Sequence, residues 1–277
     1  MKTYSASYRC NSSLLSILKE TLSQLLVFRW QILLAVQTKI KVTYHQDVFG
    51  LFWSFLMPIV PMGVYMVLAD IKVFNSSSEM PFVFYIAVGM TIWLLMADIM
   101  RKVMYSIKQD KSILTTTNFP VIVVMLSQLG EVIHDTLLRF LALLFISLYF
   151  KIDVSLVGVF YAFLTLIPLI FLSFALGMIL SIFDVVIQDT RRVVGIVLRY
   201  GLFISSVIFP FPTDGVLGMI NQFNFFNTYI NAIRDFLFYG YVYDLEKLIF
   251  TILFSFILLI ISIKIVYSVE YKIRAYL

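Results

Sequence analysis

The residues best suited to chemistry lie in QLGEVIHDTLLRF. Glu131, Asp135 and Arg139 are four apart, so they share one stripe of a helix, and His134 lies beside it. Carboxylates, an imidazole and a guanidinium in line could relay protons or form the polar wall of a substrate path. The same groups could pair, Asp135 with Arg139 at i,i+4, and brace helices or a subunit interface. The flanking sequence is apolar, which places the stripe inside a membrane span, where ionisable groups are costly and face a bundle interior or water. We read it as a brace and keep the relay as the alternative. Other catalytic signals are weak. His45 falls at a membrane surface, and Asp47, Asp98, Asp110 and Asp189 are too scattered to gather a metal or a base. There is no G-x-x-x-x-G-K-[ST], no H-E-x-x-H and no G-x-S-x-G, so ATP binding through a P-loop of its own is excluded. A single cysteine, Cys10, excludes an intrachain disulfide and a cysteine-based zinc site. No catalytic residue and no metal site is expected.

The elements that must position this stripe follow from composition. The chain has 277 residues, of which 61% are hydrophobic and 13% charged, and its mean hydropathy is +0.95. A soluble domain carries about 25% charged residues, so the expected fold is an all-α polytopic membrane protein forming one membrane domain over 1–277. Six spans are expected at 48–69, 81–100, 121–150, 154–183, 193–210 and 248–269, each an apolar run long enough for a hydrocarbon core of about 30 Å. Leu15, Leu18, Leu22 and Leu26 recur at helical spacing, which predicts an interfacial amphipathic helix within a 14–45 interfacial region. The stretch 211–245 is amide-rich and aromatic, too polar for lipid, and is read as re-entrant helices between spans five and six; a seventh span is the alternative. Lys72, Lys151, Arg234 and Lys247 fall on one side and Arg139 within a span. The rest of the 21 Lys and Arg share the side of both termini, which makes the termini cytoplasmic. The same rule explains the net charge of +5, so nucleic acid is not an expected partner.

Two regions could meet a substrate or a partner. Lys39 and Lys41 precede the first span and suit an anionic leaflet, and Trp53 suits the headgroup level. Phe52, Trp53, Phe55, Tyr65 and Phe203 could line a path, since sugar C–H faces pack well on aromatic rings, or could simply face lipid. The loop from Arg101 to Pro120 mixes charge, including Lys108 and Asp110, with Ile107, Ile113 and Leu114. A short amphipathic helix there could dock into a groove on a soluble partner, and Asp184–Arg192 could add a second contact.

Four motifs in order then carry a resemblance. Tyr44, Gly50, Trp53 and Pro58 are spaced as Tyr, Gly-Leu-Leu-Trp and Asn-Pro are in the permease subunits of ABC exporters for polysaccharides and polyol phosphates, with Met57 in place of the Asn. Ile113-Leu114 followed by Phe119-Pro120 resembles the loop after span two, though Val121 and Ile122 replace its usual charges. Gln188-Asp189-x-Arg191 is similar to the Phe-Arg-Asp-Val-Arg before span five. Asn224, Arg234 and Gly240 resemble the Asn-Pro, Arg and Gly of the re-entrant segment, with Phe225 for the Pro. The resemblance covers nearly the whole chain. It implies a homodimer of this chain, two copies of a separate ATPase subunit that binds ATP and Mg, and no cofactor here. Coupling would run through Lys108, Asp110, Ile113, Leu114, Phe119, Asp189 and Arg191. An undecaprenyl-linked glycan of O-antigen or capsule type would cross the bacterial inner membrane, among membrane lipids, entering by Lys39, Lys41, Tyr44 and Trp53. Asn224 and Arg234 would shape the outer mouth. An ABC permease for drugs or lipids, a proton-coupled transporter and a membrane glycosyltransferase are the competing readings.

Overall fold

A computed structural model of the chain describes residues 13–45, 80–208 and 223–277, with positions 60, 63, 64, 67, 218 and 221 between them. Every regular element among the described residues is a helix. In chain order these are α1 (Leu14–Val27), α2 (Arg29–His45), α3 (Phe82–Gln109), α4 (Lys111–Thr116), α5 (Val121–Tyr149), α6 (Leu156–Val186), α7 (Thr190–Ile204), α8 (Phe225–Tyr239) and α9 (Leu245–Tyr276). The expected first span, 48–69, lies outside the described residues apart from isolated positions.

Four of these helices, α3, α5, α6 and α9, are long and apolar enough to cross a membrane. Their starts follow local chemistry. Pro81 and Pro120 stand at the N-caps of α3 and α5, where a missing N–H costs nothing, and Ser155 caps α6 by accepting from Gly158 N at 3.1 Å. Three of the helices outrun the expected spans. α3 continues through Arg101 and Lys102 to Gln109, α6 continues to Val186, and α9 runs from Leu245 to Tyr276. The charged loop expected over 101–120 is therefore mostly helix, and only α4 stands apart from it. α7 is shorter than the 193–210 span expected of it. Its 15 residues rise only about 22 Å, and the helix gives way after Ile204 to a turn in which Ser206 has φ 31°.

The core forms around α3 and α6. α6 carries α3 on one side and α9 on another, α8 packs onto its start, and α3 packs in turn against α5. Small residues permit the close approaches. Gly177 on α6 faces Val103, and Gly130 on α5 receives Val36 of α2. Away from the core, Leu137, Leu141, Leu144 and Leu148 on α5 and Phe250, Leu253 and Ile257 on α9 point outward, as lipid-facing side chains do. α1 breaks from α2 at Phe28, whose ring lies 4.8 Å from that of Phe119. α1 buries Ile17 and Thr21 while Leu15, Leu22 and Leu26 face outward. The apolar stripe legible in its sequence is thus the exposed one.

One junction is unusually tight. The end of α8 sits on the start of α6, with Ser155 N donating to Leu237 O at 3.0 Å. A Cβ on Gly158 would lie 1.6 Å from the Phe236 carbonyl oxygen. Both atoms belong to backbone, so neither can swing aside. Gly158→Ala is expected to lower stability by about 1–3 kcal/mol or more, read as a lower melting temperature of the purified protein. A variant as stable as the parent would show that α6 and α8 slide freely.

Candidate functional site

At the end of the bundle that carries α4 there are three polar clusters, of which the first and third hold the short helix and the second ties the end of α3 to α6 and α7. In the first, Lys39 Nζ of α2 pairs with Asp110 Oδ2 at 2.8 Å, and Gln128 Nε2 of α5 donates to the same oxygen at 3.0 Å. In the second, Arg191 forks onto Asp184 at 2.7 and 2.9 Å, stacks 4.6 Å over the Tyr105 ring, and shares Asp184 with Lys108 at 3.7 Å. Asp184 is fully buried, and its hydrogen bonds raise the Arg191 pKa further above its ordinary value against the effect of burial. In the third, Arg274 near the end of α9 donates to the carbonyls of Leu114 at 3.0 Å, Thr117 at 3.2 Å and Phe119. Glu270 accepts from Arg274 at 3.2 Å and from Val121 N at 3.1 Å. The last carbonyls of α4 and the first amide of α5, groups a helix cannot satisfy internally, are thus met by one ion pair on α9.

α4 itself buries Leu114 against the body and leaves Ile113 41% exposed. Lys111, Ser112, Thr115 and Thr116 are exposed with it. The result is a small knob with a fixed base. Of the residues expected to couple, Asp110 belongs to that base, with Phe119 packed beside it, and Lys108 and Arg191 belong to the second cluster. Asp189 stays exposed and meets only Arg192, at 3.3 Å, a contact of little energetic weight.

Farther along the bundle, the polar stripe of α5 meets α3. Arg139 Nη2 lies 2.6 Å from Asp98 Oδ2, and Arg101 reaches the other oxygen of Asp98 at 2.9 Å. Lys102 Nζ lies 2.9 Å from Glu131 and 3.5 Å from Asp135. His134 Nδ1 is 3.4 Å from Asp135 Oδ1. The expected Asp135–Arg139 pair along α5 is replaced by pairs across the α3–α5 hairpin. In an antiparallel hairpin, residues equally far from the turn face one another, so 98 stands opposite 139 and 102 opposite 131 and 135. Asp98 and Lys102 were the missed half of the constellation. Asp98 and Lys102 being four apart on a helix was the signal that could have found them.

At the opposite end, Arg234 of α8 is 1% exposed. Its guanidinium lies 3.5 Å above the centre of the Tyr85 ring and donates to the carbonyls of Tyr85 at 3.0 Å, Ser206 at 2.5 Å and Val207 at 2.7 Å. Two of these carbonyls, those of Ser206 and Val207, belong to the segment that follows α7. Asn224 caps α8, accepting from Asn227 N at 3.2 Å and donating to Ser205 Oγ at 2.8 Å. Both residues expected in the re-entrant segment therefore tie α8 to the segment after α7.

The residues expected at a substrate entrance are split. Lys39 is committed to Asp110, Lys41 is exposed on α2, and Phe203 is 43% exposed on α7. Phe52, Trp53, Phe55 and Tyr65, and the side chain of Tyr44, lie outside the described residues. Among the described residues no group of three or more His, Cys, Asp and Glu side chains is placed to hold a metal.

No protein-family model matches the chain. Over 190 residues, 69% of this chain and 72% of the other, it is 24% identical to the O-antigen export system permease protein RfbA of Myxococcus xanthus. The chain is a relative of an O-antigen export permease. The resemblance carried by its four motifs is borne out by that relationship, and an export permease is a transport component. Glu270 and Arg274, which hold the end of α4, were not singled out in the sequence, and Asp184 was named only as the start of the loop 184–192. Glu270 and Arg274 are an i,i+4 acid–base pair, and nothing in that spacing names the carbonyls they serve.

Proposed function

We propose that this chain is the membrane-spanning subunit of an ATP-driven exporter that moves a lipid-linked polysaccharide across the bacterial inner membrane. The observation that carries the reading is the knob. α4 is a six-residue helix with an apolar tip at Ile113, held at its start by Lys39 of α2 and at its end by Arg274 of α9, in a relative of an export permease. A rigid knob of this kind suits transmission of force from a soluble motor subunit. In this reading two copies of the chain join two ATPase subunits, which bind the ATP and Mg. Six spans leave both termini cytoplasmic, with 48–69 as the first and α7 and the residues after it as the fifth, and α8 belongs to a re-entrant segment at the outer face. The substrate is an undecaprenyl-linked glycan of O-antigen or capsule type, admitted beside Lys41, Trp53 and the interfacial helices α1 and α2.

The test is co-purification with the ATPase together with the fate of the glycan. Deleting the chain is expected to strip the glycan from the cell surface and trap its lipid-linked form inside. Normal surface glycan in the deletion strain would sink the reading. Ile113→Asp places a charge at the centre of the proposed contact and is expected to weaken ATPase association by about 30-fold, the cost of losing a hot-spot residue of about 2 kcal/mol. Undiminished association would move the contact away from α4.

A further inference from the structure

α7 carries a cation where a membrane is least able to hold one. Trp93 of α3 donates from its indole Nε1 to Leu198 O at 3.2 Å, and a Cβ on Gly201 would lie 3.0 Å from the Trp93 ring. These contacts fix residues 198–201 of α7 at the depth of Trp93. That depth follows from α3, which is long and apolar enough to cross a membrane and carries no charge from Phe82 to Ala97. Trp93 stands eleven residues into it, about 17 Å, close to the middle of a hydrocarbon core of about 30 Å. Arg199 therefore lies near the midplane. It is exposed there and makes no hydrogen bond or ion pair with the described residues. Asp98, the first carboxylate along α3, is taken by Arg101 and Arg139. α7 buries only Val194 and Leu198, and Ile196 and Phe203, three before and four after Arg199, are exposed on the same face.

A cation inside a span is costly in lipid and is kept where it meets water or an opposite charge. Arg139 has Asp98, and Lys102 has Glu131 and Asp135. Arg199 has no such partner among the described residues, so the charge that completes it is a ligand's. Its position says which anion. The phosphates of resting lipids lie at the headgroups, about 15 Å from the midplane of such a core, beyond the reach of an arginine side chain. A phosphate meets Arg199 only while it crosses between leaflets. The guanidinium is a planar fork that matches phosphate oxygens and sheds its water more readily than an ammonium. Ile196, Tyr200 and Phe203 give the same face apolar surface for a lipid tail. Arg192, seven residues earlier on this stripe, is exposed about 10 Å nearer the end that carries α4. A phosphate entering from that end would meet one cation and then the other.

We propose that Arg199 binds the phosphate of the exported lipid as it passes the middle of the membrane. The source of that phosphate rests on the export reading above; the contact itself is tested without it. The full chain in phosphatidylcholine nanodiscs is the material, undecaprenyl phosphate is the probe, and undecaprenol is the same tail without the phosphate. Native mass spectrometry reads the lipid retained. The parent is expected to hold undecaprenyl phosphate more tightly than undecaprenol. Phosphatidylglycerol, whose phosphate stays at the headgroups, is not expected to displace it. Arg199→Gln is expected to weaken undecaprenyl phosphate about tenfold, the loss of a hydrogen bond to a charged group, and to leave undecaprenol unchanged. Arg199→Lys recovers part of the loss, a point donor in place of a fork. The melting temperature of Arg199→Gln should be unchanged or raised, because no contact within the chain is lost. Undiminished binding in Arg199→Gln, equal displacement by phosphatidylglycerol, or a lowered melting temperature would overturn the proposal. Lost surface glycan in the deletion strain, with Arg199→Gln binding and exporting as the parent does, would leave export standing and remove the contact. Phosphate binding that depends on Arg199, with normal surface glycan in the deletion strain, would do the reverse.

Discussion

Replacing Arg234 by methionine is expected to cost about 3–5 kcal/mol, because it strands buried acceptors rather than merely deleting contacts. The guanidinium serves three carbonyls at once: Tyr85 at the start of α3, and Ser206 and Val207 where α7 has ended. It is also stacked on the Tyr85 ring, a contact that strengthens when both partners are desolvated. Methionine fills much of the volume and satisfies none of the oxygens. Arg234→Lys keeps the charge but offers a point donor in place of a planar fork, so it is expected to recover only part of the loss. Gly89 supplies an independent check. A Cβ there would lie 1.9 Å from Arg234 Nη2 and 2.7 Å from Val207 O, so Gly89→Ala should reproduce the defect without touching Arg234. The measurement is thermal unfolding of the purified protein. Equal stability of the lysine variant and the parent would mean that the fork is not what holds α8 to the segment after α7.

The second large effect is expected at Asp98 and Arg139. Their 2.6 Å pair leaves both side chains mostly shielded, 18% and 13% exposed. Arg139→Met alone, or Asp98→Asn alone, leaves a poorly solvated charge whose main partner has gone, a loss of about 3–5 kcal/mol. The double variant Asp98→Leu with Arg139→Met removes both charges and is expected to recover most of that loss, since neutral replacements of buried pairs are often tolerated. The strength of recovery separates the two readings of the stripe. A brace predicts that the double variant regains both stability and export. A proton relay predicts regained stability with export lost, or with its pH dependence changed. Arg101 sharing Asp98 and Lys102 spanning Glu131 and Asp135 favour the brace, because each of these carboxylates is already held by a cation.

These two sites also mark where the sequence is legible and where it stops. The apolar runs located α3, α5, α6 and α9, because a span must be apolar along its length whatever it packs against. Their ends were harder. Arg101, Lys102 and Lys108 read as loop because charge usually marks the membrane edge, yet all three lie within α3, where Arg101 pairs with Asp98 of the same helix and Lys102 and Lys108 find acidic partners on α5 and α6. The stripe Glu131–Asp135–Arg139 was visible because spacing of four shows neighbours along one helix. Its true partners on α3 were hidden, because pairing across a hairpin depends on where the turn falls. Arg234 was marked by its place in a family-like motif, but its work of capping carbonyls was not, since backbone acceptors carry no sequence signature.

α9 has one more property. Its 32 residues span about 48 Å. One extremity grips α4 through Arg274 and Glu270, and the other receives Tyr229 through Thr251 O at 3.2 Å and Ser255 Oγ at 2.7 Å. Midway along its lower half, Tyr267 holds Glu20 of α1 at 2.6 Å. The helix is therefore a strut clamped at both ends. A load applied to the knob has little slack to take up before it reaches the far face, where it arrives as a shift of the strut's other end. The position of the knob and the position of the far face are, mechanically, two readings of one rod.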